Sequence, residues 1–310
     1  MNLHVVSVRS ASHRGRRGGT RRGFGGVVTL AASALLLFVT ALAAAMVGPG
    51  AGPAAAIGEK TLFVAESTAG TVVAVSEDGA VDPLVTGLSS PFDVVVDGDT
   101  LYISESGAGR IVTAPTSGGT ATPLVIPGLS APSYIAISGD TLFIVDSGTV
   151  YAVPKVGGTP EVLLEDLGNA GGIAVYNGQV YVTINSMTGS VVSVPVTGGT
   201  PTTVVSGLTN PLAIAADNGT LYITSSVGPV WSVPVTGGTP TELAELNVGL
   251  GIAVDGDTLY LTEDQSGTVY SLPVTGGTLT EIATGLSSPA GIDVGVGGCT
   301  GSVCLGGSAF

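Results

Sequence analysis

The alternation of apolar and polar positions repeats along the chain as a unit, and its clearest copy runs from Gly251 to Pro289 as GIAVDGDTLYLTEDQSGTVYSLPVTGGTLTEIATGLSSP. An apolar run at Ile252 to Val254 meets a turn at Asp255-Gly256, and short alternating stretches follow at Leu259 to Thr262 and Val269 to Leu272. A Gly276-Gly277 turn then leads to a last stretch near Leu279 to Ala283. Asp-Gly and Gly-Gly dipeptides tolerate the positive φ of hairpin turns, so the copy predicts four short strands joined by tight turns.

The unit recurs. An aromatic-bearing strand start stands at Leu62-Phe63, Leu101-Tyr102, Leu142-Phe143, Val180-Tyr181, Leu221-Tyr222 and Leu259-Tyr260, in steps of 39, 41, 38, 41 and 38 residues. A second mark follows at Val72-Val73, Ile111-Val112, Val150-Tyr151, Val191-Val192, Val230-Trp231 and Val269-Tyr270. A third is the turn at Asp78-Gly79, Gly118-Gly119, Gly157-Gly158, Gly198-Gly199, Gly237-Gly238 and Gly276-Gly277. Four strands per roughly 40 residues, without helical periodicity, predict β-propeller blades. Six marks predict six blades. Pro123, Pro160, Pro201 and Pro240 fall after the turn, at the expected start of the fourth strand, where an exposed edge tolerates a missing N–H.

The phase of the repeat predicts how the ring closes. The array opens on a second strand, Thr61 to Glu66, and ends on an unpaired first strand, Ala290 to Val294. These two completing one blade would pair residues 62–66 with 290–294.

Composition changes the picture at the ends. Arg9, Arg14, Arg16, Arg17, Arg21 and Arg22 precede an apolar run from Val27 to Val47, and no acidic residue occurs before Glu59. This reads as an export signal over residues 1–56, ending at Ala54-Ala55-Ala56. Thr20-Arg21-Arg22-Gly23-Phe24 looks like the core of a twin-arginine signal, and both that route and the general secretory route stay open. The run from Val27 to Val47 is also long enough for an uncleaved membrane anchor. Either way the propeller, residues 57–296, is expected outside the cytoplasm as a monomer, touching a membrane only through that segment. Cys299 and Cys304 lie in a Gly-rich tail, residues 297–310, where they are expected to form a small disulfide loop.

Charge removes whole classes of function. Beyond residue 56 there are 23 acidic side chains against Lys60, Arg110 and Lys155, a net charge of 3 − 23 = −20. Nucleic acid is excluded, because no basic footprint exists to displace counterions from phosphate. His4 and His13 both precede the domain. Histidine general-base chemistry, Ser-His-Asp and Cys-His catalysis and the commonest zinc sites are therefore absent.

Chemistry is left to carboxylates and row-breaking residues. Glu66, Glu105, Asp146, Asn185, Ser225 and Glu263 are read at one equivalent position after the second strand. They either fix loops or, in part, hold a hard cation such as Ca2+ with Asp93 and Asp293, which takes several oxygen ligands. The inner-strand rows Tyr134, Gly172, Ala213, Gly251, Gly291 and Val95, Ala136, Ala174, Ala215, Ala253 are small or apolar except at Tyr134, and Asp93 and Asp293 break them. Carboxylates sharing a channel mouth bind a cation, raise one another's pKa, or simply face solvent. Asp93, Tyr134, Asn185, Trp231 and Asp293 are the candidate ligand-binding residues. Trp231 shares its row with Tyr151 and Tyr270, which favours packing.

The phrases GLSSPAGIDV (285–294) and GIAVDGDTLYLTE (251–263) resemble the inner- and second-strand pattern of the six-bladed NHL, YWTD and SMP-30/gluconolactonase-like, TolB-like superfamily. The resemblance spans most of residues 61–296 and implies the same all-β fold. It says little about function, since such propellers include enzymes, ligand sensors and adhesion modules. In that group an acidic residue after the second strand usually steadies a loop. No Tyr-Trp-Thr-Asp or Asn-His-Leu occurs here. Two functions follow as expectations: a non-enzymatic scaffold for a protein, glycan or peptide, or a metal-dependent hydrolase like the superfamily's lactonases. Short uniform loops favour the first.

Overall fold

Turn chemistry sets the fold. At Asn218-Gly219 both residues adopt positive φ (47° and 74°), as a two-residue hairpin between right-twisted strands requires. In a computed structural model describing residues 60–296, such turns delimit 24 strands in six four-stranded antiparallel sheets. The chain over these residues is an all-β, six-bladed propeller. The export signal, the membrane-anchor reading and the Cys299–Cys304 loop lie outside the described residues, and among those described no helix is long and apolar enough to cross a membrane.

Blades are numbered from the closure. Their inner strands are Pro289–Val296 in blade 1, Pro91–Asp97 in blade 2, Pro132–Ser138 in blade 3, Ala170–Tyr176 in blade 4, Pro211–Asp217 in blade 5 and Gly249–Asp255 in blade 6. Blade 1 is completed by Lys60–Glu66, Thr71–Ser76 and Val81–Thr86 from the start of the array. The closing pair forms as expected, with Leu62 opposite Val294, Phe63 opposite Asp293 and Val64 opposite Ile292.

The aromatic row packs blade against blade. Phe63, fully buried, sits with Val94 and Leu101 of blade 2, and Tyr260 of blade 6 sits with Leu62 and Ile292 of blade 1. Between blades, buried hydroxyls on second strands donate to carbonyls of the next inner strand. These are Ser104 to Ser133, Thr183 to Leu212, Thr224 to Gly249 and Thr262 to Ala290, at 2.5–2.8 Å. All four are completely buried, and Ala65 and Val145 take their place in blades 1 and 3.

The outer strands differ from expectation in one blade. Pro160, Pro201 and Pro240 each stand one residue before an outer strand, but in blade 2 that strand is only Thr122–Pro123. Pro123 and Pro127 both lack an N–H to continue the ladder, and only Leu124 N still reaches Ile111 O, at 2.9 Å.

The antiparallel order defines two faces. The loop face carries the outer-to-inner crossings and the second-to-third turns. The turn face carries the inner-to-second hairpins and the Gly-Gly turns.

Candidate functional site

The loop-face carboxylates are bound to backbone. Glu105 is completely buried and accepts from Ser89 N at 2.6 Å and Arg110 Nε at 2.5 Å. Glu66 accepts from Ser287 N at 2.7 Å, a bond that crosses the ring closure, and from Thr71 Oγ1 at 2.5 Å. Asp146 takes the Ser130 and Ala131 N–H groups and two hydroxyls. Burial pushes the Asp146 carboxyl up, but these donors outweigh it and hold the group below its usual range. Glu263 accepts from Asn247 N at 3.1 Å. Each carboxylate thus ties its own blade's incoming crossing, which is the loop-fixing alternative.

Asn185 does not belong to that row. Strand pairing sets Ile184 opposite Ala170, where other blades set Glu105 opposite Pro91 and Asp146 opposite Pro132. Counting from Val180-Tyr181 gives the same place to Ile184, so Asn185 falls one residue into the loop. Trp231 is also remote from the channel: it packs with Tyr181, Val191 and Val205 between blades 4 and 5, its buried Nε1 without a hydrogen-bond partner.

Asp93, Tyr134 and Asp293 do come together, around a central cavity of about 180 Å³. Its wall is the small-residue ring Val95, Ala136, Ala174, Ala215 and Ala253, with Asp293 as the sixth member. Glu66 and Glu105 do not line it. Among the described residues no three acidic, cysteine or histidine side chains form a group that could hold a metal ion.

The two aspartates use the same device at successive junctions. An inner strand has its channel-side edge unpaired, so N–H groups there need acceptors. Asp293 of blade 1 accepts from its neighbour Val294 N and from Val96 N of blade 2, both at 2.8 Å. Asp93 of blade 2 accepts from Val94 N and from Ile135 N of blade 3, both at 2.9 Å. Burial drives the Asp93 carboxyl up from 3.8 to about 7, against the pull of those N–H groups and with a smaller push from the Asp293 charge. Burial lifts Asp293 to about 6, against the Val96 and Val294 N–H groups.

Gly291 makes room for Asp93. A Cβ at position 291 would overlap the Asp93 carboxylate and stand 2.6 Å from its Cα, so backbone would have to move. Gly291→Ala is expected to destabilise the protein by about 1–3 kcal/mol, the usual scale of overpacking, as read by denaturant unfolding. An unchanged midpoint would mean that the blades separate without cost.

Tyr134 closes the channel towards the loop face. Its hydroxyl crosses from blade 3 to donate to Leu250 O of the opposite blade 6 at 2.8 Å, and Phe92 meets its ring edge-on at 4.9 Å. Burial, with the Asp93 charge as a smaller cause, keeps the Tyr134 phenol well above its usual pKa. The cavity continues from this floor towards the ends of the inner strands at Ile137, Val175, Ala216 and Val254, and so towards the turn face. That face is acidic, with Asp97, Asp99, Asp140, Asp217, Asp255 and Asp257 in or beside its hairpins against Lys60 and Lys155, which pair with Asp255 and Asp97.

No family model and no curated protein matches the chain. Among solved structures, a chain of the nidogen/laminin complex is similar at 18% identity and a TM-score of 0.70, over 77% of this chain and all of that one. Virginiamycin B lyase from Staphylococcus aureus is similar at 15% identity and a TM-score of 0.58, over 74% of this chain and 84% of that one. A TolB-like protein from Agrobacterium tumefaciens is similar at 15% identity and a TM-score of 0.55, over 73% of this chain and 89% of that one. At such identities what is shared is the fold, and that fold is the β-propeller, here with six blades.

Proposed function

We propose that the chain is an exported, non-enzymatic propeller that presents its loop face to a protein, glycan or peptide partner. The observation that carries this reading is the commitment of Glu66, Glu105, Asp146 and Glu263 to the crossings of that face. Carboxylates spent on holding loops give a rigid surface, which binds with little ordering cost. The face is built largely of Ser, Thr, Gly and Asn, with Arg110, Glu165, Asp166 and Asp264 as its exposed or partly exposed charges. Such a surface suits partners that offer many neutral hydrogen-bonding groups. The nidogen/laminin neighbour is a propeller solved with a protein partner, an analogy of architecture only. Export rests on the arginine-flanked apolar run of residues 1–56.

Glycan and peptide arrays probed with the purified protein test the reading. Binding is expected to fall at least tenfold when Ser89 and Ser130 on the loop face are changed to bulky Arg, and to survive Thr197→Arg on the turn face. Lactone hydrolysis that needs an added divalent ion would overturn it in favour of the hydrolase.

A further inference from the structure

The central cavity holds two carboxyl groups, Asp93 buried and Asp293 half-buried, and no basic residue beside them. Lys60, Arg110 and Lys155 are the basic residues among those described. Lys60 pairs with Asp255 at 2.6 Å, Arg110 with Glu105 at 2.5 Å and Lys155 with Asp97 at 2.8 Å. None lines the cavity, so Asp93 and Asp293 have no cationic partner within the described domain. Asp93 is only 8% exposed, which makes its uncompensated charge costly.

The carboxylates also have acceptor capacity to spare. A carboxylate offers about four lone-pair sites. Each oxygen of Asp93 and each of Asp293 accepts a single backbone N–H. The remaining lone pairs face a cavity lined by Ala, Val and Ile side chains together with the polar backbone edges of the inner strands.

We propose that the cavity binds a small primary alkylammonium ion, its N–H donors on Asp93 and Asp293 and its short chain against Ala174, Ala215 and Ala253. This goes beyond the loop-face reading and does not depend on it. A hard divalent cation fits less well, because Ca2+ takes about six to eight oxygen ligands, usually with several carboxylates, and among the described residues no third acidic side chain joins Asp93 and Asp293. Tyr134 bars entry from the loop face. The ligand therefore enters through the turn face, whose aspartates outnumber Lys60 and Lys155 there and raise the local concentration of cations.

The test is thermal shift and calorimetric titration of the intact protein with n-butylammonium at about pH 8, where both aspartates are ionised. n-Butanol, tetramethylammonium and Ca2+ serve as comparisons. Butylammonium is expected to saturate one site and raise the melting temperature. The comparison compounds are expected to do neither. Asp93→Asn with Asp293→Asn should weaken binding at least tenfold. Ala215→Leu, which fills the cavity and keeps both carboxylates, should do the same and guards against misfolding of the first variant. No saturable binding overturns the proposal, as does equal binding to both variants, which would place the ion on surface acids. Tighter binding of Ca2+ than of butylammonium also overturns it.

Discussion

A chain that stops at Ser288 is expected to lose its cooperative unfolding transition, whereas one that stops at Val296 keeps it. The difference is the inner strand of blade 1. Without it, Lys60–Glu66 becomes an open edge along the pairing from Lys60 to Glu66, and Ala290 and Ile292 leave sites where they are at most 5% exposed. Backbone bonds are worth about 1 kcal/mol each net, and full burial of an Ile side chain about 1.5–3 kcal/mol. Lost together, they approach the roughly 5–15 kcal/mol by which a domain is stable. The Thr262 bond to Ala290 O, the Glu66 bond to Ser287 N and the Asp293 bond from Val96 N are strained or lost as well, so blades 6 and 2 lose their grip on blade 1. Circular dichroism melts of the two truncations decide the matter. A peptide spanning residues 286–298 should restore the transition to the shorter chain. An unaltered melt of the shorter chain would show that the ring does not need its closure.

Stability is expected to fall as pH rises from about 4 to about 7. The sign follows from linkage: Asp93 and Asp293 titrate near 7 and 6 when folded but near 3.8 when unfolded. In that window the folded state binds more protons than the unfolded one, so each step up in pH favours unfolding. Each tenfold difference in proton affinity between the two states is worth about 1.4 kcal/mol, so the two carboxyls together cost on the order of 5 kcal/mol or more once both are ionised. Asp146 acts in the opposite sense, its contribution being lost as pH falls below the ordinary carboxylate range. The general acidity of the chain also opposes folding at high pH, which the double variant Asp93→Asn, Asp293→Asn separates. An amide at either position sets an NH2 against a backbone N–H, a constant penalty that leaves the slope free to be read. Urea unfolding at half-unit pH steps should give a flattened profile for the variant. A slope as steep as that of the wild type would assign the effect to net charge.

Most of the architecture is legible because it is written six times. The Phe63-to-Tyr260 row, the Gly-Gly turns and the closing strand each follow from period and turn chemistry. Sequence and structure part where one copy departs from the rest. Asn185 falls outside its expected row because Ile184 breaks the acidic series, and a neighbouring polar residue fills the gap in the pattern. The outer strand of blade 2 is only Thr122–Pro123, where the other copies run over four to seven residues. Asp93 and Asp293 stand out as row breakers, yet their grip on Ile135 N and Val96 N depends on which blades become neighbours in space. The reach of Tyr134 to Leu250 O spans 116 residues, and no local pattern contains it. The buried hydroxyls at Ser104, Thr183, Thr224 and Thr262 do carry a detectable mark, a polar residue at one register position in four second strands.

The closing register has a topological consequence. With Lys60 opposite Val296, the two ends of the described chain are strand neighbours within blade 1. The ring is therefore a circle whose cut falls inside one blade by choice of sequence rather than by geometry. Joining those ends and reopening the circle in an exposed connection, such as that at Gly207 to Asn210, would yield a circularly permuted chain with the same neighbours in every sheet.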